Sequence, residues 1–470
     1  YSDVNIGNAG GIYPYGRLMG DQGEPLAIVH QYRRSFVEEA AGLGLKDWNF
    51  VPLNDIYERD HTTHSNDLRL TADARYNVLD WLNVEVKYQY QKATGESDYL
   101  NKENSYFVRN LINSYTQFNE NGSFSSPIPN GATLDRSLRT VTAHSFRSQL
   151  NINKSWDKFY LSAIGGLEFR EVATDTYTNR YYGFNEDILT INSQMDFNAF
   201  YRMYPQANQQ RIPNVAGIGG LFDANVSYYA NAALTYLDRY TLSLSGRIDQ
   251  SNLFGVKANQ RSVPLWSTGF SWNLNKESFY RLDWLPSLKL RTTYGFNGNI
   301  DRSVTAFTTA RYLNGAFLTG LLHAMISNPP NPELRWEKIG IMNLGLDFGI
   351  RGNRLSGSIE YFNKKGTDLM GYAPLDATTG VREIRGNVAA MRGSGWDITL
   401  NSINIDRKFK WNSTLLFSRA VDKVTDYDPE QTSAINYVSD ASINRFGMNP
   451  IVGRPVFGLY SFKWGGLDGP

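Results

Sequence analysis

The chain has 470 residues, and 47 Lys and Arg against 46 Asp and Glu leave a net charge of +1, no electrostatic basis for a nucleic acid or another acidic polymer as partner. It has no cysteine, which excludes a disulfide framework and thiolate chemistry. Aromatic residues reach 14% although the mean hydropathy is -0.42, and the longest apolar candidate, Phe317 to Ile326, is broken by Gly320 and His323, well short of the roughly 20 residues of a membrane helix.

Read in chain order, the sequence offers segments in which apolar and polar residues alternate. Asn66–Tyr76 and Trp81–Lys92 come first, joined by a tight turn. The second is the clearest: Leu82, Val84, Val86, Tyr88 and Tyr90 share one face, and Asn83, Glu85, Lys87, Gln89 and Gln91 the other. Successive strand side chains point to opposite faces, so this alternation predicts strands wetted on one side only and excludes a helix. Ala143–Asn153 and Lys158–Arg170 follow, then Ala224–Tyr236 and Tyr240–Asp249. Leu265–Leu274 and Ser287–Asn297 are separated by a stretch that could hold one helical turn. Lys338–Ile350 pairs with Arg354–Asn363, and Ser394–Ile403 with Lys408–Arg419; Val456 to Trp464 could begin a thirteenth strand.

Connections alternate between short and long, the long ones covering about 1–65, 93–142, 171–223, 298–337, 364–393 and 420–455. The layout predicts an all-β fold, a transmembrane antiparallel β-barrel in a bacterial outer membrane, with short turns facing the periplasm and long loops facing outside. Trp81, Trp156, Trp284 and Trp411 all fall at or near short connections, where an indole gains by sitting at the lipid headgroups, and they are assigned to a membrane-interface girdle. Glu85, Lys87, Arg247, Asp249, Lys289 and Arg291 are expected to face the lumen. Twelve or thirteen strands with two free edges cannot sit in lipid, because each unpaired backbone group there costs several kcal/mol; more strands are expected outside these residues. The chain begins with neither Met nor a leader, so an exported precursor longer than this chain is expected.

No grouping of residues recommends catalysis. His61 and His64 are three apart, a metal-ligating spacing on a helix, but they lie in an expected loop without a third ligand. Asp422, Asp426, Asp428 and Glu430 could hold a structural Ca²⁺ through carboxylate oxygens, although the spacing matches no EF-hand and acidic loops are ordinarily just solvated. Gly217 to Gly220 reads as loop. Tyrosines in the long loops, Tyr99, Tyr106, Tyr115, Tyr181, Tyr182, Tyr201 and Tyr204, carry a flat apolar face and a polar tip suited to sugar or peptide. They serve equally well for contact with a partner protein or for packing of loop on loop.

The run YGRLMGDQGEPLAIVHQYRRSF with LKDWNFVPLND, and later SGRIDQSNLFG, VPLWSTGFSWNLNKESF, WLPSLKLRTTYGFNGN, NPELRWEK, NLGLDFG, SGSIEYFNKKGTDL and GRPVFGLYSFKWGGLDG, resemble in order the barrel region of SusC-like (RagA-like) TonB-dependent transporters. The resemblance implies a barrel of 22 strands around an N-terminal plug, a SusD-like surface lipoprotein as lid, and energy from TonB through a box ahead of the plug. Plug, box and terminal strands are all missing from these residues. The implied function is import of oligomeric nutrients, oligosaccharides or peptides, with no covalent chemistry and no cofactor. A passive porin shares the strand pattern and is the alternative; a soluble carbohydrate-binding or hydrolytic β-protein is a third reading, weakened by the lack of a credible acid pair.

Overall fold

The computed structural model of the chain describes residues 16–466 apart from 120–121, 193, 253–261, 300, 302–303, 314–315, 317, 377, 379, 382, 428–449, 459 and 462. Helices α1 (Arg34–Ala41) and α2 (Pro52–Asp55) precede β1 (Arg59–Leu79), which turns directly into β2 (Leu82–Asn101). Helix α3 (Tyr106–Tyr115) and the short pair β3 (Gln117–Phe118) and β4 (Phe124–Ser125) fill the connection to β5 (Ala132–Trp156) and β6 (Phe159–Phe184). A second short pair, β7 (Tyr201–Arg202) and β8 (Gln209–Gln210), comes before β9 (Gly217–Tyr236), β10 (Tyr240–Ser251), β11 (Ser262–Asn273) and β12 (Ser287–Asn299). The pair β13 (Thr309–Leu313) and β14 (His323–Asn328) leads to β15 (Glu337–Gly349), β16 (Leu355–Pro374), β17 (Glu383–Asp406) and β18 (Lys410–Tyr427).

The twelve long strands form one antiparallel sheet in the order β1-β2-β5-β6-β9-β10-β11-β12-β15-β16-β17-β18, each paired with its neighbour in sequence. All twelve alternating segments are therefore strands, as expected. A single turn of 3-10 helix, Leu274–Lys276, opens the connection between β11 and β12. The β5–β6 hairpin closes over Asp157 and Lys158, with Asp157 at φ 46°, a left-handed conformation that Asp tolerates better than most residues.

The strands outrun their expected bounds. β5 has 25 residues and β6 has 26, about 80–85 Å at ~3.3 Å per residue, whereas a bilayer crossing needs only about 9–11 residues. Several stretches expected as loop are accordingly strand: 93–101 and 132–142, 171–184, 217–223, 364–374, 383–393 and 420–427. The glycine run Gly217 to Gly220 opens β9 and is not loop. His61 and His64 also lie on a strand, β1, where residues three apart point to opposite faces and cannot share a metal; His61 Nε2 instead meets Ser97 Oγ at 3.0 Å. The thirteenth strand expected from Val456 is not formed among the described residues. Here the chain returns beside β18 through a bridge between Val424 and Val452, and Val456 N donates to Asp422 Oδ2 at 3.0 Å. Asp428 and Glu430 lie outside the described residues.

Apolar cores form in the connections. Ile28, Val37, Ala40, Trp48, Phe50 and Tyr106 make one cluster; Val108, Ile112, Tyr115, Ile128, Tyr182 and Ile212 make a second. A third, Val304, Ala306, Leu334 and Trp336, packs against Met370 of β16.

Candidate functional site

The pairing register carries the two-face pattern without interruption across the sheet. On one face Val84 faces Leu150, Phe146 faces Phe169, Leu167 faces Tyr228, Leu242 faces Phe270, Leu290 faces Leu346 and Ile359 faces Ile398. Many of these apolar side chains are exposed, among them Leu242, Leu244, Phe270, Leu290 and Phe417. A face this wide and this apolar needs a nonaqueous neighbour. Trp156, Trp284 and Trp411 are exposed at the short-turn end, and Trp81 lies in the β1–β2 turn beneath Lys154 Nζ, 4.3 Å from its ring centroid.

The opposite face carries groups of hydrogen-bonded polar side chains that cross from strand to strand. Arg75 Nε and Asn151 Nδ2 both donate to Asn83 Oδ1, at 3.0 and 2.9 Å; Gln149 donates to Asn151 at 2.6 Å and accepts from the Tyr229 hydroxyl at 2.7 Å. Arg247 donates to Asp249 at 2.6 Å and Ser227 at 2.8 Å, and lies 3.8 Å from Glu168. Arg291 bridges Asp347, at 3.0 Å, and Glu360, whose other oxygen accepts from Asn343 at 3.3 Å. Arg247, Asp249 and Arg291 thus sit among their counter-charges, while the register puts Glu85, Lys87 and Lys289 on this same face. These groups bind strand to strand and leave a wall with little net charge.

At the long-connection end a helical module stands on β1 and β2. Ser105 caps α3, its hydroxyl accepting from Val108 N at 3.3 Å, and buried Asp55 accepts from Tyr106 N at 2.6 Å while pairing with Arg59 at 2.6 Å. Asn113 clamps Lys46 through both its amide groups, at 2.9 and 2.8 Å, and Trp48 Nε1 donates to Asn110 at 2.8 Å. His30 lies against Phe50 and Tyr106, ring centroids 4.7 and 5.1 Å away. Burial holds its pKa below the ordinary 6.5, helped by the Arg59 charge and opposed by Asp55. Burial also pushes the Tyr106 hydroxyl up, with a smaller rise from Tyr32.

Three of the seven loop tyrosines are buried. Tyr106, Tyr115 and Tyr182 belong to the loop cores, and the last two donate their hydroxyls to the Arg211 and Pro213 carbonyls at 2.7 and 2.6 Å. Tyr204 stacks on Trp48 at 6.1 Å, and Tyr201 packs edge-on against Tyr115 at 6.3 Å, so both mainly join one connection to the next. Tyr99 and Tyr181 stand half-buried on β2 and β6. What the tyrosine pattern missed is the helix itself: Val108, Ile112 and Tyr115 lie on one face behind a Ser cap.

An apolar face toward lipid, a polar face toward water and aromatic residues at the turn end define the wall of a transmembrane β-barrel. The chain belongs to the TonB dependent receptor-like, beta-barrel family, whose model matches residues 3–468. It is an outer-membrane protein, with its apolar face on lipid and its polar face on the lumen. Curated relatives include TonB-dependent receptor P26 of Formosa agariphila, 27% identical over 352 residues that cover 71% of this chain and 33% of that protein. TonB-dependent receptor SusC of Bacteroides thetaiotaomicron is 25% identical over 304 residues, 53% of this chain and 30% of SusC. The chain spans about a third of the length of these relatives. The RagAB peptide importer in its closed-closed state shares the fold, with a TM-score of 0.69 at 18% identity over 89% of this chain and 42% of that one.

Proposed function

We propose that the chain forms wall and outer loops of a SusC-like receptor that imports oligosaccharides or oligopeptides across the outer membrane, working with a SusD-like lipoprotein lid and drawing energy from TonB. The observation that carries this reading is the pairing of a self-neutralised polar wall with a packed helical module at its long-connection end. Such a wall lets neutral oligomers pass without trapping them, and such a module gives a lid protein a shaped surface to seat on. Kinship with SusC supports the lid, and likeness to the RagAB importer supports an oligomeric cargo of some kind. Cargo is moved unaltered, with no covalent step.

The test is uptake, in whole cells, of the ligand that co-purifies with the native receptor. Energised import predicts that a proton uncoupler and loss of TonB each abolish accumulation, and that removal of the lipoprotein lowers it. Uptake indifferent to both uncoupler and TonB would mark a passive porin.

A further inference from the structure

The outward, lipid-facing side of the last four long strands ends in a row of cations. Residues alternate between faces, so in β16 the outward set that holds Ile359 and Tyr361 continues through Asn363 to Lys365. The register places Lys365 opposite Arg392 of β17, and Arg392 opposite Lys423 of β18. Arg419 shares this face of β18, opposite Trp396, and Lys338 shares that of β15, opposite Thr367. All five side chains are exposed. Directly opposed residues have Cβ atoms about 4.5–5.5 Å apart, where like charges repel and cost stability.

Elsewhere the sheet neutralises its charges. Arg291 bridges Asp347 and Glu360 on the lumenal face, and beyond the lipid Arg136 pairs with Asp98 and Arg180 with Asp135. The outward row has no such partners: among the described residues Lys338, Lys365, Arg392, Arg419 and Lys423 make no ion pair and no side-chain hydrogen bond. The carboxylates interleaved with these outward sets, Glu337, Asp347, Glu360, Asp397 and Asp422, alternate to the lumenal face. Asp426, opposite Ala390 a step farther out, pairs with none of the five.

The row also stands at the height of a membrane boundary. Trp411 marks the short-turn end of β18, and Lys423 lies twelve positions beyond it. At ~3.3 Å per residue and a tilt of ~35–45°, that is about 28–32 Å along the membrane normal, just past an apolar band of ~25 Å. Aromatic rings mark the same level on the neighbouring strands. Lys365 lies opposite Gly340, Gly340 opposite Phe296, and Trp266 packs on Phe296 with ring centroids 5.5 Å apart. The Phe296 ring leans over Gly340, where a Cβ would come within 3.1 Å of it.

We propose that this row binds the phosphate of an outer-leaflet glycolipid, a lipid A headgroup, whose acyl chains lie on the apolar face beneath. Charge complementarity selects an anion: Arg392 offers a planar fork for phosphate oxygens, and Lys365 and Lys423 add a point charge one strand away on either side. Position selects a lipid, because chains resting on the apolar face hold the phosphate at the boundary and a free phosphate has no such anchor. Arg419, four positions nearer the membrane interior, is within the distance over which long basic side chains snorkel to a boundary. The bound headgroup removes the repulsion and staples β16, β17 and β18 together.

The test uses the full-length receptor in detergent with three probes: lipid A, the same lipid A after phosphatase treatment, and inorganic phosphate. Native mass spectrometry reads retention, and a thermal melt reads stability. The native receptor should retain phosphorylated lipid A at least several-fold better than the dephosphorylated form and should unfold at a higher temperature with it. Lys365→Gln/Arg392→Gln/Lys423→Gln should lose both effects, yet without lipid should unfold no earlier than the native receptor, because it has shed only repulsion. Lys364→Gln, on the lumenal face beside Lys365, should behave as the native receptor does. Equal retention of both lipid forms, retention unaltered in the triple variant, or equal loss in Lys364→Gln would overturn the proposal. Stabilisation by inorganic phosphate as large as that by lipid A would overturn the assignment to a lipid. A triple variant that kept the lipid and shed a partner protein would mark the row as a protein interface and overturn it as well.

Discussion

Asp55 ties the helical module to the sheet, and its replacement shows how much of that module stands on one carboxylate. Buried at 7% exposure, it accepts from Tyr106 N at 2.6 Å at the start of α3 and pairs with Arg59 of β1 at 2.6 Å. Asp55→Ala leaves the buried Tyr106 N–H without this acceptor, a loss of about 1.5–3 kcal/mol for a charged hydrogen bond. The Arg59 partner adds less than the ~3–5 kcal/mol of a fully buried broken pair, because its side chain is 25% exposed. The sum is about 2–4 kcal/mol, which is roughly 30- to 700-fold in a local opening equilibrium. Amide hydrogen exchange of the full-length receptor should accelerate by that factor in α1 and α3 and stay unchanged in β9 to β12. Asp55→Asn keeps an acceptor for Tyr106 N and should show about half the effect on the logarithmic scale. Equal acceleration in module and sheet, or none in the module, would refute the reasoning.

Other outcomes follow from the same contacts. The pKa of His30 lies below 6.5 in the folded chain, so the unfolded chain takes up the proton first on acidification. The stability His30 contributes is therefore complete above pH 6.5 and lost as pH falls through the folded value. Protection factors in α1 and α3, taken against the intrinsic exchange rate at each pH, should fall below about pH 6.5, and His30→Gln should flatten that dependence. Arg291→Met leaves Asp347 and Glu360, diagonal neighbours across β15 and β16, without their shared cation and should destabilise the sheet by about 1–2 kcal/mol, discounted for lumenal water, as read by heat-induced loss of the folded gel band. Restoring charge balance with Glu360→Gln in the Arg291→Met background should recover part of that loss.

The bilayer-crossing part of each strand was legible because lipid on one side and water on the other impose period two on the sequence. Beyond the lipid that constraint ends. Asp98 and Arg136, 2.6 Å apart on β2 and β5, and Asp135 and Arg180, 2.5 Å apart on β5 and β6, continue the ladder in water with no apolar face to mark it, so the ends of these strands read as loop. The lumen-facing charges were legible for the same reason, while their partners were not, since Arg291 meets Glu360 across 69 positions of sequence. Helix α3 did carry a signal: Val108, Ile112 and Tyr115 at helical spacing behind Ser105. Reading its two tyrosines singly, as contacts to ligand, partner or another loop, hid it.

The central claim is that one face of this sheet lies in lipid and the other in an aqueous lumen. Single cysteines introduced along β10 of the full-length receptor, from Leu242 to Arg247, can be spin-labelled after reconstitution and compared for collision with oxygen and with a water-soluble nickel chelate. Oxygen access should peak at positions 242 and 244 and nickel access at 243, 245 and 247, alternating residue by residue. Uniform access to the nickel chelate at all these positions would contradict the account.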